Sequence, residues 1–329
     1  MSHRIIVTGA AGFIGSNIVR GLNEAGEDGI LIVDSLADGE KYKNLVPLRF
    51  ADYADKDDFI AALRAGKFDA APVAAVLHQG ACSDTMEYDG KFMLDNNYRY
   101  SRDLLDFCLR RGIPFIYASS ASVYGPGRHG FREEPACEEP LNVYAFSKLL
   151  FDRYVRRVIG HAPAQIVGLR YFNVFGPQEN HKGRMASIVY QLYRQLKKDG
   201  VMRLFGPSGG YGAGEQRRDF IYVKDAVKVN LFFLSHPAIS GVFNCGTGKA
   251  RPFNAIAAAL ARLAGSGRTE YIDFPPALEG RYQSFTEANL DRLLAAGYDG
   301  GFMPLEDAIA DYWRYLEKWD GYLDPDVRG

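Results

Sequence analysis

Cysteine is scarce in this 329-residue chain. Its four residues, Cys82, Cys108, Cys137 and Cys245, are scattered and form no CxxC pair. That excludes a disulfide framework and zinc-finger spacing, and it fits a reducing cytoplasmic compartment. No metal site is expected. An excess of one charge is also lacking: 39 basic residues face 40 acidic ones, a net charge of -1. A protein that grips nucleic acid by its phosphates needs a basic surface, so nucleic acid is not an expected partner. No apolar run approaches the roughly 18 residues that span a bilayer. The first residues run into a strand-like segment without the basic-then-apolar pattern of a secretory leader. A soluble cytoplasmic protein with no membrane partner is expected. Internal repeats and low-complexity tracts are absent as well. What is present is an ordinary globular composition, 47% apolar and 24% charged, with length for about two domains of roughly 150 residues or one large one.

The first half alternates strand-like and helix-like segments. Short apolar runs at Arg4–Thr8, Ile30–Asp34, Ala74–His78, Phe115–Ser119 and Ile166–Tyr171 read as strands. Phe13–Leu22 and Asn97–Arg110 carry apolar residues at helical spacing. Continuous apolar strands separated by helices predict a parallel sheet covered on both faces, the doubly wound α/β class. After residue 171 the loops lengthen. Helices are predicted over Met185–Lys198, Phe253–Leu263 and Leu305–Trp319, a strand over Val242–Cys245, and a mobile glycine-rich loop over Pro207–Glu215. Two units are expected, 1–171 and a smaller α/β unit 172–329, with segments near 219–248 and the C-terminal helix packing back on the first.

Three constellations carry chemistry. Gly9-Ala-Ala-Gly12-Phe13-Ile14-Gly15 joins a predicted strand to a predicted helix. Glycines there let the backbone turn tightly and approach a pyrophosphate at the helix N-terminus. Asp34 ends the next strand, 19 residues after Gly15, where a carboxylate reaches a ribose hydroxyl. Asp52 is placed near the end of the third strand, facing an adenine. The second constellation is Tyr144-Ala-Phe-Ser-Lys148, which puts a phenol and an ammonium on one helix face. A nearby positive charge lowers a phenol's pKa, so Tyr144 is a candidate proton acceptor for a substrate hydroxyl as hydride leaves carbon. Third, Ser119-Ser120-Ala121-Ser122 lies at a predicted strand end, where ligands of open α/β sheets bind, and Ser120 can orient that hydroxyl.

The order GxxGxxG, strand-end serine and YxxxK resembles the extended short-chain dehydrogenase/reductase superfamily. The runs His78–Ser83, Asp95–Tyr98, Arg170–Gly176, His181–Ser187, Arg218–Val223, Phe243–Gly248 and Gly280–Thr286 narrow this. Together they are similar to the ADP-L-glycero-D-manno-heptose 6-epimerases over essentially the whole chain. The resemblance implies an N-terminal Rossmann domain binding NADP (or NAD) and a C-terminal unit binding an ADP-heptose. It implies an isomerase that oxidises C6″ of ADP-D-glycero-β-D-manno-heptose to an aldehyde and reduces it on the opposite face, for the lipopolysaccharide inner core. A homo-oligomer, a pentamer, is implied too.

By the same resemblance, two acid/base groups are used, matched here by Tyr144 and by Lys182 in the turn His181-Lys182-Gly183. Lys148 and Ser120 complete the catalytic set, and Lys148 also bonds the nicotinamide ribose. Gly9, Gly12, Phe13, Ile14, Gly15, Asp34 and Ser35 fall at the dinucleotide, with Lys41 and Lys56 at a 2′-phosphate. Gln79, Gly80, Ala81, Cys82, Ser83, Asn96, Val174 and Lys182 border the cofactor. Asn173, Arg184, Gln191, Phe205, Gly206, Pro207, Ser208, Arg218 and Tyr282 fall where the family holds the ADP-sugar. Arg218 reads either as a diphosphate clamp or as a salt-bridge partner of Asp219. Arg184 stands where a serine is familiar. Two other readings compete: a UDP-hexose 4-epimerase or related dehydratase, which needs only one tyrosine, and a non-enzymatic dinucleotide sensor, which needs neither Tyr144 nor Lys148.

Overall fold

The structure is a computed structural model that describes residues 4–276 and 282–326. Gly280 and Arg281 of the Gly280–Thr286 run lie outside the described residues. The strands are β1 (Arg4–Thr8), β2 (Ile30–Asp34), β3 (Asp52–Asp55), β4 (Val73–His78), β5 (Phe115–Ser120), β6 (Ile166–Tyr171), β7 (Asn173–Phe175), β8 (Val201–Phe205), β9 (Arg217–Tyr222), β10 (Gly241–Cys245), β11 (Ala250–Pro252) and β12 (Arg268–Ile272). The α-helices are α1 (Phe13–Glu24), α2 (Lys56–Arg64), α3 (Gly90–Leu94), α4 (Tyr100–Arg111), α5 (Val143–Val158), α6 (Ile188–Asp199), α7 (Val223–Ser235), α8 (Phe253–Ala264), α9 (Asp291–Ala295) and α10 (Leu305–Trp319).

Seven strands form one parallel sheet in the order β10-β6-β5-β4-β1-β2-β3. The chain doubles back at β1, so β2–β3 and β4–β6 run to opposite sides, as in a Rossmann sheet. Both faces are dry, which is why the strands are apolar without alternation. On one face, Ile18, Val19 and Leu22 of α1 pack with Val227 and Val229 of α7. On the other, Phe59 and Leu63 of α2, Leu104 and Cys108 of α4 and Phe151 and Val155 of α5 pack together. Because β10 lies at the sheet edge and α7 against α1, this unit draws on chain well beyond residue 171.

The later part builds a second core from Leu192 and Leu196 of α6, Ile256 and Leu260 of α8, and Ile309 and Leu316 of α10. Two small sheets support it, β11-β9-β7 and β12-β8. Helix α6 starts at Ile188, not Met185, because Ser187 caps it, its hydroxyl accepting from the Tyr190 amide at 3.3 Å. The glycine-rich run after β8 is a tied turn. Ser208 and Tyr211 pair, and the Gly214 amide donates to the Phe205 carbonyl at 2.9 Å. Among the described residues, no helix is long and apolar enough to cross a membrane.

Candidate active site

A cleft of about 870 Å³ opens at the C-terminal ends of the central strands, the place where open parallel sheets bind ligands. One wall is the turn from β1 into α1. Gly9 has φ +67°, and a Cβ there would meet the Gln79–Gly80 backbone at 2.6–2.7 Å. A Cβ on Gly15 would stand 2.1 Å from the Gly9 carbonyl oxygen. The turn is therefore open to a ligand because the side chains are missing. Gly12 caps α1 without a side-chain hydrogen bond, so the helix N-terminus presents unsatisfied amides to the cleft. Gln79 lines the same wall, and its buried Nε2 has no hydrogen-bond partner.

Asp34 lines the cleft at the end of β2, but its carboxylate is already engaged. One oxygen accepts from the Ala11 amide at 2.8 Å, and the other accepts from the Ser35 amide at 2.7 Å and from Lys41 Nζ. It pins the glycine turn and neutralises a lysine. Lys56, at the start of α2, and Ser35 line the cleft beside it. Asp52 does not. It opens β3 instead of ending it, pairs beside Leu31, and lies 3.9 Å from Arg4. The strands are parallel, so the start of β3 sits on the side of the sheet away from the cleft, and the expected adenine contact is corrected accordingly.

Gly80, Ala81, Cys82, Ser83, Asn96, Asn173 and Val174 all line the cleft. Asn96 sits in a π-helical turn, Asp95–Arg99, that opens into α4, a distortion frequent at functional sites. Burial pushes the Cys82 thiol up. His78 is locked between Thr8 Oγ1 at 2.6 Å and Ser101 Oγ at 2.7 Å, and burial pulls its imidazole down to about 3, so it stays neutral.

Tyr144 and Lys148 line the cleft from α5, facing Ser120 at the end of β5. Burial raises the Tyr144 phenol, and a hydrogen bond with Ser120 opposes it. The lowering expected from Lys148 does not occur in this geometry, because Lys148 Nζ donates to the Ala118 carbonyl at 2.9 Å. Burial brings the Lys148 ammonium down to about 8, with Asp152 opposing. Asp152, one turn further along α5, accepts from Tyr117, Ser119 and buried Arg170 at 2.9–3.0 Å. Arg170 also pairs with buried Glu138. This network fixes α5 against β5 and β6, and with it the Tyr144–Lys148 face.

Lys182 reaches the cleft from a separate element, the 3₁₀ turn Asn180–Met185. Its Nζ lies 5.4 Å from the Phe13 ring centroid, a cation–π contact with the glycine turn. Burial lowers its pKa and Glu179 opposes. Two asparagines brace this segment on the glycine turn. Asn17 donates to the Phe13 and Pro177 carbonyls at 2.9 and 3.0 Å, and Asn44 to those of Ala11 and Gln178 at 2.9 and 3.1 Å. Arg184 does not itself line the cleft, although its partner Asp84 does. The arginine is exposed and pairs with Asp84 at 2.7 Å. Gln191 does not line the cleft either; it braces the turn by donating to the Arg184 and Ala186 carbonyls at 3.1 and 2.7 Å.

A second patch adjoins the cleft. Arg218 is buried, with its guanidinium 4.7 Å from the Tyr282 ring and 5.8 Å from that of Phe253, which lines the cleft. Phe205, Phe274 and Tyr282 stack edge to face at 5.3–6.0 Å. Gly206 and Ser208 beside them are held by Gln216 Nε2 at 2.9 and 2.7 Å, and Pro207 is exposed between them. The Arg218–Asp219 salt bridge does not form, because neighbours on a strand face opposite sides. Asp219 accepts instead from the Thr247, Gly248 and Ala288 amides at 2.8–3.0 Å. Sequence reasoning did not single out Phe253, Gln283, Thr286 or Glu179. Gln283 and Thr286 sat within a run already noticed; Phe253 and Glu179 gave no local signal.

Comparison with known proteins adds three findings. Residues 5–246 match the NAD dependent epimerase/dehydratase family. Relatives from Alkalilimnicola ehrlichii and Thiobacillus denitrificans are each described as an ADP-L-glycero-D-manno-heptose-6-epimerase. They are 54% and 51% identical, covering 94% and 97% of this chain and 96% and 99% of their own. Among solved structures, the Helicobacter pylori ADP-L-glycero-D-manno-heptose-6-epimerase superposes with a TM-score of 0.82 at 30% identity, covering 96% of this chain and 97% of that one. The Thermus thermophilus UDP-glucose 4-epimerase, solved with NAD, gives 0.79 at 26%, covering 96% and 99%.

Proposed function

Because the chain belongs to the NAD dependent epimerase/dehydratase family, we propose that it inverts C6″ of ADP-D-glycero-β-D-manno-heptose. The product is ADP-L-glycero-β-D-manno-heptose, made through a transient C6″ aldehyde for the lipopolysaccharide inner core in the cytoplasm. Relatives of that name at more than half identity support the substrate. The observation that carries the chemistry is the pair Tyr144 and Lys182 in one cleft, on separate elements.

The cleft suits a nicotinamide dinucleotide. The glycine turn has no room for a Cβ, the N-terminus of α1 is uncapped, and Gln79 Nε2 is an orphan donor. Bound there, the dinucleotide supplies a hydride acceptor and donor. NADP is favoured, because Lys41 neutralises Asp34 and Lys56 adds a second cation to the same wall. Lys41→Ala is expected to weaken NADP binding about tenfold, or about 1.4 kcal/mol, and NAD binding far less. Fluorescence titration with each dinucleotide reads this, and an equal loss for both would reject the 2′-phosphate role.

The protein's own groups move protons. For one epimer, the Tyr144 phenolic oxygen takes the C6″ hydroxyl proton, with Ser120 orienting that hydroxyl. For the other, whose oxygen lies on the opposite side, Lys182 Nζ serves. A lysine acts as base near neutrality only if its pKa is lowered, and burial does this. Arg218, buried beside the Tyr282 and Phe253 rings with its guanidinium donating to the Arg217 carbonyl, suits a diphosphate, since a guanidinium donates in a bidentate fork. Phe205 and Tyr282 offer ring faces to the adenine.

The deciding experiment offers the purified protein ADP-D-glycero-β-D-manno-heptose and, in parallel, UDP-glucose, without added cofactor. Conversion of the heptose alone, with inversion at C6″ by NMR, is expected. Conversion of UDP-glucose, or of neither sugar after NADP and NAD are supplied, rejects the substrate assignment.

A further inference from the structure

Glu179 has no place in the chemistry described so far, yet it is a fully buried carboxylate three residues before Lys182. No arginine among the described residues pairs with it. One oxygen accepts from the Ser187 hydroxyl at 2.7 Å and the Gly176 amide at 3.3 Å, and the other accepts from the Ser187 amide. Gly176 ends the stretch before the Lys182 turn and Ser187 caps the helix after it. The carboxylate therefore joins the two ends of the segment that carries Lys182. Inside that segment, the Lys182 amide donates to the Glu179 carbonyl at 3.0 Å.

The titratable groups that face this carboxylate are Lys182 on the turn, Tyr312 on α10 and Tyr190 on α6. Tyr312 is buried with its hydroxyl toward Glu179, close enough to act on the carboxylate but without a hydrogen bond of good geometry. Lys182 itself is faced by Glu179, by the Phe13 ring and by His181, whose own surroundings include Lys41, Asp34 and Asp38. Burying a carboxylate is costly unless it is hydrogen-bonded and balanced. Both oxygens accept, which a neutral carboxamide with one accepting oxygen cannot reproduce. Lys182 is the cation that acts on this carboxylate, across the turn and not as a direct ion pair.

We infer that Glu179 is the positioning residue for Lys182: its carboxylate closes the turn that aims Nζ into the cleft and is the counter-charge against which that amine gains and loses its proton. This rests on the reading of Lys182 as a proton-transfer group. Burial raises the Glu179 carboxyl, and the Ser187 and Gly176 donors and Lys182 oppose this. When the neutral amine takes the C6″ hydroxyl proton it becomes an ammonium beside that carboxylate. Without the carboxylate the ammonium is less stable, so Lys182 is a weaker base.

The test compares Glu179→Gln with Lys182→Met in the holoenzyme. Lys182 Nζ is titrated by NMR of isotope-labelled lysine, with Lys182→Met assigning its signal. First-turnover reduction of the bound cofactor is followed from each heptose epimer separately. Glu179→Gln is expected to lower the Lys182 midpoint by about one pH unit. It is also expected to slow oxidation about tenfold from the epimer that Lys182→Met disables, and less than about threefold from the other. An unmoved midpoint, or equal slowing from both epimers, overturns the inference. If Lys182→Met leaves both epimers at the wild-type rate, the Lys182 reading itself falls. If Lys182→Met is selective and Glu179→Gln is not, only the Glu179 inference falls. Glu179→Asp, one methylene shorter, keeps the test open if the Gln variant does not fold. The same selectivity at about threefold is then expected, and an equal loss overturns the inference.

Discussion

Tyr144→Phe is expected to cut first-turnover oxidation from one heptose epimer by about 10²–10⁴-fold, the usual worth of a positioned acid/base group, while the other epimer still reduces the bound cofactor. The near-ultraviolet absorbance of reduced nicotinamide, read on mixing with each epimer, measures this. The asymmetry has to be sought in the first turnover. A variant cannot move the equilibrium between two epimers, so the ratio of kcat/KM in the two directions is fixed whatever the residue. The structural ground is the separation of the two groups. Tyr144 reaches the cleft from α5 beside Ser120, and Lys182 reaches it from the turn before α6, against Phe13. Different contacts hold the two: α5 is held by Asp152 and Arg170, and the Lys182 turn by Glu179, Asn17 and Asn44. Phenylalanine keeps the ring in its buried site, so the fold is expected to survive. Equal loss from both epimers would mean that a single group serves both, as in the 4-epimerase reading.

Gly15→Ala is expected to abolish dinucleotide binding and lower stability by at least about 1–3 kcal/mol, the cost of forcing atoms into a packed site. The new Cβ would lie 2.1 Å from the Gly9 oxygen, 2.7 Å from the Gly9 carbonyl carbon and 2.9 Å from the Ala10 Cα, all backbone. No rotamer change relieves that. Either the turn or the first turn of α1 must move, and both line the cleft. Gly160→Ala is the control: nothing lies within 4 Å of its Cβ and its φ is unexceptional, so a change within about 0.5 kcal/mol is expected. Thermal melts and dinucleotide titration separate the two, and a Gly15→Ala protein that binds NADP normally would reject the cradle.

Much of the site was legible because it follows from local rules. The strand–glycine–helix passage at Arg4–Glu24 is written in an apolar run, three glycines and helical spacing, and the chain folds there as those cues dictate. Tyr144 and Lys148 share a face because four residues is close to one helical turn. Errors arose where position depended on partners. Asp52 was set at the wrong end of β3 because its four-residue strand carries a weak pattern, DYAD. Arg218 kept two readings open until β9 was seen as a strand, whose alternation turns Asp219 to the other side. The Tyr144 phenol was expected to be lowered by Lys148, but the lysine is aimed at the Ala118 carbonyl.

The sequence by itself determined the doubly wound sheet, the glycine cradle and the order of the reactive residues, since these depend on periodicity and backbone sterics within short spans. Only the tertiary structure decided which charges are buried and what neutralises them. Asp34 is engaged by Lys41 and the Ala11 amide, Asp152 by Arg170, and Glu179 by the two ends of a turn eleven residues apart. A carboxylate in a polar stretch reads as solvated in one dimension. Its desolvation, and hence its effect on a neighbouring lysine, is a property of everything packed around it.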